Sequence, residues 1–237
     1  MNIDTGRVLR AAVFAAWAIF FAYLRISGDM TRYLGPRTYW VVTFGAVALG
    51  GAAIAHVATL RTQTEPRRPT RADMASVAAL LIPIVGVLMI PSAELGALAA
   101  SRKLSSAGGG EVGAFAPAAP DPDGDISFAE IQYANESEEY AAQAGVVEGT
   151  PIRLTGFVTH AADAPGEGFD LTRFYVSCCA ADALPFSVRI GPSVGFADPQ
   201  ENDWLEVQGR VARDESGFYV QAQDIAEVPE PAVPYLY

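Results

Sequence analysis

Most of the usual marks of a catalyst are missing from this sequence. There is no phosphate-cradling Gly-rich loop and no Walker motif. A Ser–His–Asp arrangement can be drawn with His160, but no nucleophile-elbow pattern marks its serine. Histidine occurs twice, at His56 and His160, and cysteine twice, at Cys178 and Cys179. The cysteines are adjacent, so the Cys–x–x–Cys spacing of a redox or zinc motif is absent. Basic residues are scarce in the second half. Residues 106–237 hold five Arg against twenty-two acids, whereas residues 1–105 hold eleven Arg or Lys against five. A segment that acidic repels phosphates, which argues against nucleic acid as a partner.

What is abundant is apolar sequence, and it lies at one end. Three stretches run from Ala11 to Leu24, Thr38 to Leu60 and Met74 to Ala100. A bilayer core needs roughly 20 apolar residues of helix. The second and third stretches meet that length. The first reaches it with Val8 and Leu9, and Arg10 and Arg25 can snorkel to the interfaces. It ends in Phe20–Phe21–Ala22–Tyr23–Leu24–Arg25, without the small-residue pattern of signal cleavage, so a retained helix is expected. The reading is a three-helix membrane domain over 1–104, with helices at about 8–25, 38–60 and 75–99.

Loop charge sets the expected orientation. Arg61, Arg67, Arg68 and Arg71 follow the second stretch, and Arg7 and Arg10 precede the first. Three spans place both groups on one side, the cytoplasmic one, and the C-terminal domain on the other. Arg25, Arg32 and Arg37 in the first loop oppose this assignment.

Within the second stretch, Gly45, Gly50 and Gly51 lie among alanines at four-residue spacings, which lets helices approach closely. His56 near its end is an ionisable residue in an apolar helix, hence a functional candidate; Leu60 and Arg61 one turn away also allow it to reach the interface. Pro83 interrupts the third stretch and should kink it. Glu94 reads as a solvated terminal charge.

The stretch 105–125 is rich in Gly, Ala, Pro and Asp and reads as a flexible linker. Ser127 and Glu130 then form a capping box for a helix running to about Gly145, with Phe128, Ile131 and Ala134 on its apolar face. From Thr150 the hydrophobic period is two. Strands are expected at 151–160, 170–179, 184–190, 204–213 and 217–227, the last two joined by a hairpin at Asp214–Gly217. Five short strands, with Gly156 and Gly209 inside them, suit a small OB-fold-like barrel over 126–237; an open sandwich is the other arrangement. Phe174, Tyr175, Phe186, Phe218 and Tyr219 are either a base-stacking set or barrel core.

The densest local feature is Ser177–Cys178–Cys179–Ala180–Ala181–Asp182. Thiolates bind soft or borderline metals such as zinc. Asp182 lies close by, and His160 ends a neighbouring strand, so Cys178, Cys179, Asp182 and His160 form a candidate ligand set. Against it, neighbours on a strand point to opposite faces, and cysteine also serves as a small buried hydrophobe. A position at the strand end would remove the first objection.

The run from Arg173 to Pro185 resembles the signature of the YcgQ-like family of permease subunits. Tyr33–Leu34–Gly35–Pro36–Arg37 resembles that family's first loop, and Leu81–Ile82–Pro83 through Pro91 and Leu95 its third span. Leu154–Thr155–Gly156–Phe157–Val158 and Asp203–Trp204–Leu205–Glu206–Val207–Gln208–Gly209 resemble its flanking strands. The resemblance implies a membrane anchor and a domain of unknown function, commonly paired with a YcgR/YraQ-type permease. That permease class includes an organoarsenical exporter, and gene neighbours point to zinc homeostasis. It also implies functional weight for Cys178, Cys179 and Asp182. The linker at 105–125 departs from the family by its length and proline content.

The expectation is a non-enzymatic accessory subunit of a permease, multi-pass in the bacterial cell membrane. Its partners are the lipid bilayer and the permease, its ion is of the zinc type, and its C-terminal domain is extracytoplasmic. Two other classes remain open: a membrane-tethered thiol-redox protein, and a structural interaction module without ligand.

Overall fold

The computed structural model describes residues 5–59, 70–89, 95–106, 126–160, 168–192 and 199–237. By its contacts the chain forms two compact units. The first is Met1–Glu94 with Cys178–Ala180; the second is Leu95–Ser177 with Ala181–Tyr237. The expected linker at 105–125 lies, beyond Ser106, outside the described residues.

The first unit holds α1 (Thr5–Ser27), α2 (Tyr39–Ala58) and α3 (Arg71–Met89). All three are long and apolar enough to cross a membrane, α2 together with the 3₁₀ turn Pro36–Thr38 before it. Gly28 ends α1 with φ 84°, a left-handed value that suits glycine. Phe20, Leu24 and Met30 are buried together, with Trp17, Phe21, Tyr33, Tyr39, Ile84 and Val87 packed around them. Gly45 permits this packing: a Cβ there would stand 2.9 Å from the Phe21 ring. A Cβ on Gly50 would meet Ala18 at an ordinary 3.9 Å. A Cβ on Gly51 would meet nothing within 4 Å. Pro83 lies inside α3 and removes a helical donor. The carbonyl left without that donor is Ala79's; the Trp17 indole donates to the next one, Leu80 O, at 3.0 Å.

The described residues of the third apolar stretch fall in two helices, and residues 90–94 of the expected helix at 75–99 lie outside the described residues. The helix α3 ends at Met89, and α4 (Ala97–Ser106) belongs to the second unit. Ala97 is buried there, and Ala100 is buried in a cluster with Phe157, Phe174, Val176, Ala183 and Tyr235. The Ala97 amide donates to Asn202 Oδ1 at 2.8 Å. Ala97 and Ala100 of α4 thus face protein, and by its contacts the second unit begins at Leu95.

The second unit is a closed five-stranded barrel. Its strands are β1 (Pro151–His160), β2 (Phe169–Tyr175), β3 (Leu184–Gly191), β4 (Trp204–Asp214) and β5 (Gly217–Glu227). They close in the order β1-β2-β3-β5-β4, with β3 and β5 parallel and the other pairs antiparallel. That is an OB-like barrel, as the strand pattern predicts. Leu154, Leu171, Val188, Ile190, Val207 and Val220 fill it. The helix expected before β1 is two: α5 (Phe128–Glu136) and α6 (Glu138–Gln143), divided at Ser137, whose hydroxyl caps α6. The Ser127–Glu130 capping box is formed, and Phe128, Ile131 and Ala134 enter the core.

Glycine serves close approach at two strand positions. A Cβ on Gly156 would stand 2.6 Å from the Thr172 carbonyl oxygen, and one on Gly209, beside the β4–β5 bulge, would strike the Gln221 carbonyl. The β4–β5 hairpin turns through Glu215 and Ser216, with Asp214 paired to Gly217 (φ 113°). The aromatic set is mainly core: Phe174, Phe186 and Phe218 are buried, while the Arg189 guanidinium lies over the Tyr219 ring.

Candidate functional site

The expected second strand, 170–179, stops four residues early, at Tyr175. The Val176 amide turns instead to the Leu236 carbonyl at 3.0 Å, and Leu236 N–H donates to Phe174 O at 2.8 Å. Arg173 holds this tail in place. Its guanidinium donates to Pro234 O, Val233 O and Thr155 O at 3.2, 2.8 and 3.2 Å. Burial lowers the pKa of Arg173, and the Tyr237 charge opposes that shift.

Released from the ladder, the chain bends through Ser177 and Cys178 and makes a 3₁₀ turn at Ala180–Asp182 before β3. The objection from strand alternation therefore does not apply. Cys178 Sγ and Cys179 Sγ stand 3.7 Å apart, not joined in a disulfide. The turn brings Asp182 back, where its Oδ1 accepts from Ser177 N–H at 3.2 Å. The ligand atoms of Cys178, Cys179 and Asp182 lie within 4.8 Å of one another. Cys178 is exposed; Cys179 and Asp182 are half-buried. Zinc–sulfur bonds of about 2.3 Å in a tetrahedron put two thiolates about 3.8 Å apart, so the sulfur spacing suits such an ion.

Two supports of this turn escape a reading by motif. Lys103, on α4, donates to Ala183 O at 2.6 Å and Ala181 O at 3.2 Å, clasping the backbone on both sides of Asp182. Its signal in the sequence is only that it is the sole lysine among arginines. In the first unit, Cys178–Ala180 pairs with the loop between α1 and α2 through a bridge of Leu34 with Cys179. That loop and the cysteine run were separately noticeable; nothing in either says that they meet.

The strand register does not carry His160 to the cysteines. It stands opposite Asp170, at the start of β2, whereas the pair follows the strand's far end. The intervening five steps of strand span about 17 Å. The His160 side chain lies outside the described residues. His56 is half-buried on α2, stacked on Phe14 with ring centroids 5.5 Å apart.

Both parts of the sequence match models of one family. The DUF1980 N-terminal domain covers residues 9–105, and the DUF1980 C-terminal domain covers residues 117–237. The chain belongs to the DUF1980 family. No curated protein matches it. In DUF1980 terms, the cysteine run lies in the C-terminal domain and the Tyr33–Thr38 loop in the N-terminal one. Helix α4, which the contacts group with the barrel, falls in the stretch matched by the N-terminal model up to residue 105.

Proposed function

We propose that this DUF1980 protein is a non-enzymatic accessory subunit of a membrane permease, and that Cys178, Cys179 and Asp182 bind a thiophilic or zinc-type cation for it. The observation that carries the reading is the gathering of two sulfurs and a carboxylate within 4.8 Å at one turn. Soft sulfur with one hard oxygen suits zinc-like ions better than calcium or magnesium, which take oxygen sets. An open fourth position would leave the ion exchangeable with a partner. The resemblance to YcgQ-like subunits, which accompany YcgR/YraQ-type permeases, supports the transport setting. The three apolar helices support a multi-pass place in the membrane. The arginines at 61, 67, 68 and 71 support an extracytoplasmic barrel.

Titration of the reduced full-length protein in detergent with zinc is the test. A saturable heat is expected from the wild type and none from the Cys178→Ser/Cys179→Ser form. Equal heats in the two would end the ion reading. Purification from native membranes should recover a permease alongside, and a C-terminal alkaline phosphatase fusion should be active; an inactive fusion with a fluorescent GFP counterpart would reverse the orientation. The exposure of the Cys178 thiol favours one second reading, a membrane-tethered thiol-redox protein. A depressed thiol pKa, measured by the pH dependence of alkylation, would support it, and an ordinary one would count against it.

A further inference from the structure

The loop between α1 and α2 grips the backbone of the cysteine pair. Within the first unit, Leu34 and Cys179 face each other in an antiparallel bridge. Gly35 N–H donates to Cys178 O at 3.1 Å, and Ala180 N–H donates to Tyr33 O at 2.8 Å. The Thr38 hydroxyl lies 2.8 Å from Cys178 O and 2.9 Å from Gly35 O, so a single proton is shared between two carbonyls. Thr38 is also the N-cap residue of α2.

The consequence is geometric. The peptide linking Cys178 to Cys179 is held at its oxygen by an amide and a hydroxyl, and the next amide is held by Tyr33. The tilt of that peptide sets the directions in which the two Cα–Cβ bonds leave the chain. Successive side chains of a regular strand diverge to opposite faces. Here the sulfurs converge to 3.7 Å. We infer that Thr38 is a positioning residue for the sulfur pair, acting through the Cys178 carbonyl, and that the ion site is incomplete without the α1–α2 loop. As an ion site, this rests on the function proposed above. Linkage makes the effect reciprocal: if the Thr38 contact strengthens ion binding, ion binding strengthens the contact at the start of α2 by the same factor.

Full-length protein in detergent, as wild type, Thr38→Val and Thr38→Ser, tests this with two probes. Cadmium binding is followed by thiolate charge-transfer absorbance. Dibromobimane, which fluoresces on bridging two neighbouring thiols, reports sulfur placement without any metal. Thr38→Val should weaken cadmium binding about five- to tenfold and slow bridging, as expected for the loss of one hydrogen bond. Thr38→Ser, which keeps the hydroxyl, should restore both. Unchanged cadmium affinity and unchanged bridging in Thr38→Val would overturn the positioning role, as would equal losses in the Val and Ser forms. A wild type that binds no cadmium while Thr38→Val still slows bridging would remove the ion reading and leave Thr38 as the residue that sets the sulfurs. No binding together with unchanged bridging would remove both.

Discussion

The three long helices and the barrel handle apolar surface in opposite ways. In α3, Ile82, Leu88 and Met89 are 66%, 58% and 77% exposed, and none of its residues is buried. In the barrel, Leu171, Ile190, Val207 and Val220 are fully enclosed. The first pattern would be unsound in water, where large exposed apolar patches drive association. In lipid it costs nothing, because the acyl chains are as apolar as the side chains. Helix contacts there depend on small residues and fit, as at Gly45 against Phe21. The barrel depends on the hydrophobic effect and is acidic outside. One chain thus uses two folding rules, and the assignment of each segment to one rule or the other is open to experiment.

The largest effect should come from the barrel core. Leu171→Ala should lower the stability of the barrel by about 2–5 kcal/mol, read by urea titration of the full chain in detergent. Leu88→Ala on α3 should change it by less than about 0.5 kcal/mol. Equal losses would break the contrast, because they would mean that α3 packs as protein core.

Overpacking comes next. Gly209→Ala sets a methyl against the Gln221 backbone and should cost about 1–3 kcal/mol. Gly45→Ala meets only the Phe21 ring, which can turn aside, and should cost less; Gly51→Ala, facing open space, should be near neutral. Helix association measured for these two membrane variants would sharpen the packing rule on that side.

A smaller effect of opposite sign is expected at Tyr140, whose buried hydroxyl has no hydrogen-bond partner among the described residues. Burial raises its pKa, with Glu130 adding to the shift. Tyr140→Phe should leave stability unchanged or raise it by up to about 1 kcal/mol. A clear loss would show that the hydroxyl is satisfied and the core more polar than drawn here.

The smallest effect belongs to the barrel surface. Asp214 bonds the Arg189 guanidinium at 2.6 Å, and this bond, with Ser216 N–H, holds its carboxyl below the ordinary range. A depressed carboxyl stabilises the fold above its unfolded pKa of about 4 and loses that contribution as pH falls through the folded value. Asp214→Asn should therefore flatten the acid limb of the stability profile slightly, and salt should do the same to the wild type. An unchanged acid limb would show that this exposed pair contributes nothing.

Local chemistry made much of this legible. Apolar length marked the three helices long enough to cross a membrane, the Ser127–Glu130 box marked the start of α5, and period-two alternation with a Gly-bearing turn marked the strands and the last hairpin. Each signal resides in residues that are neighbours along the chain. The extent of the barrel unit is less legible. Ala100 continues an apolar run, yet it is buried with barrel aromatics; hydropathy reports that a side chain avoids water, not which apolar surface receives it.

The cysteine turn divides the same way. Its composition shows two thiols and a carboxylate close together in sequence. The backbone around the two sulfurs is bonded by groups far away in sequence: a C-terminal tail beside the end of β2 at Tyr175, a lysine 80 residues before Ala183, and a threonine 140 residues before Cys178. Identity of side chains sets what a group can bind. Only the folded backbone, through hydrogen bonds closed over those separations, decides where the group points.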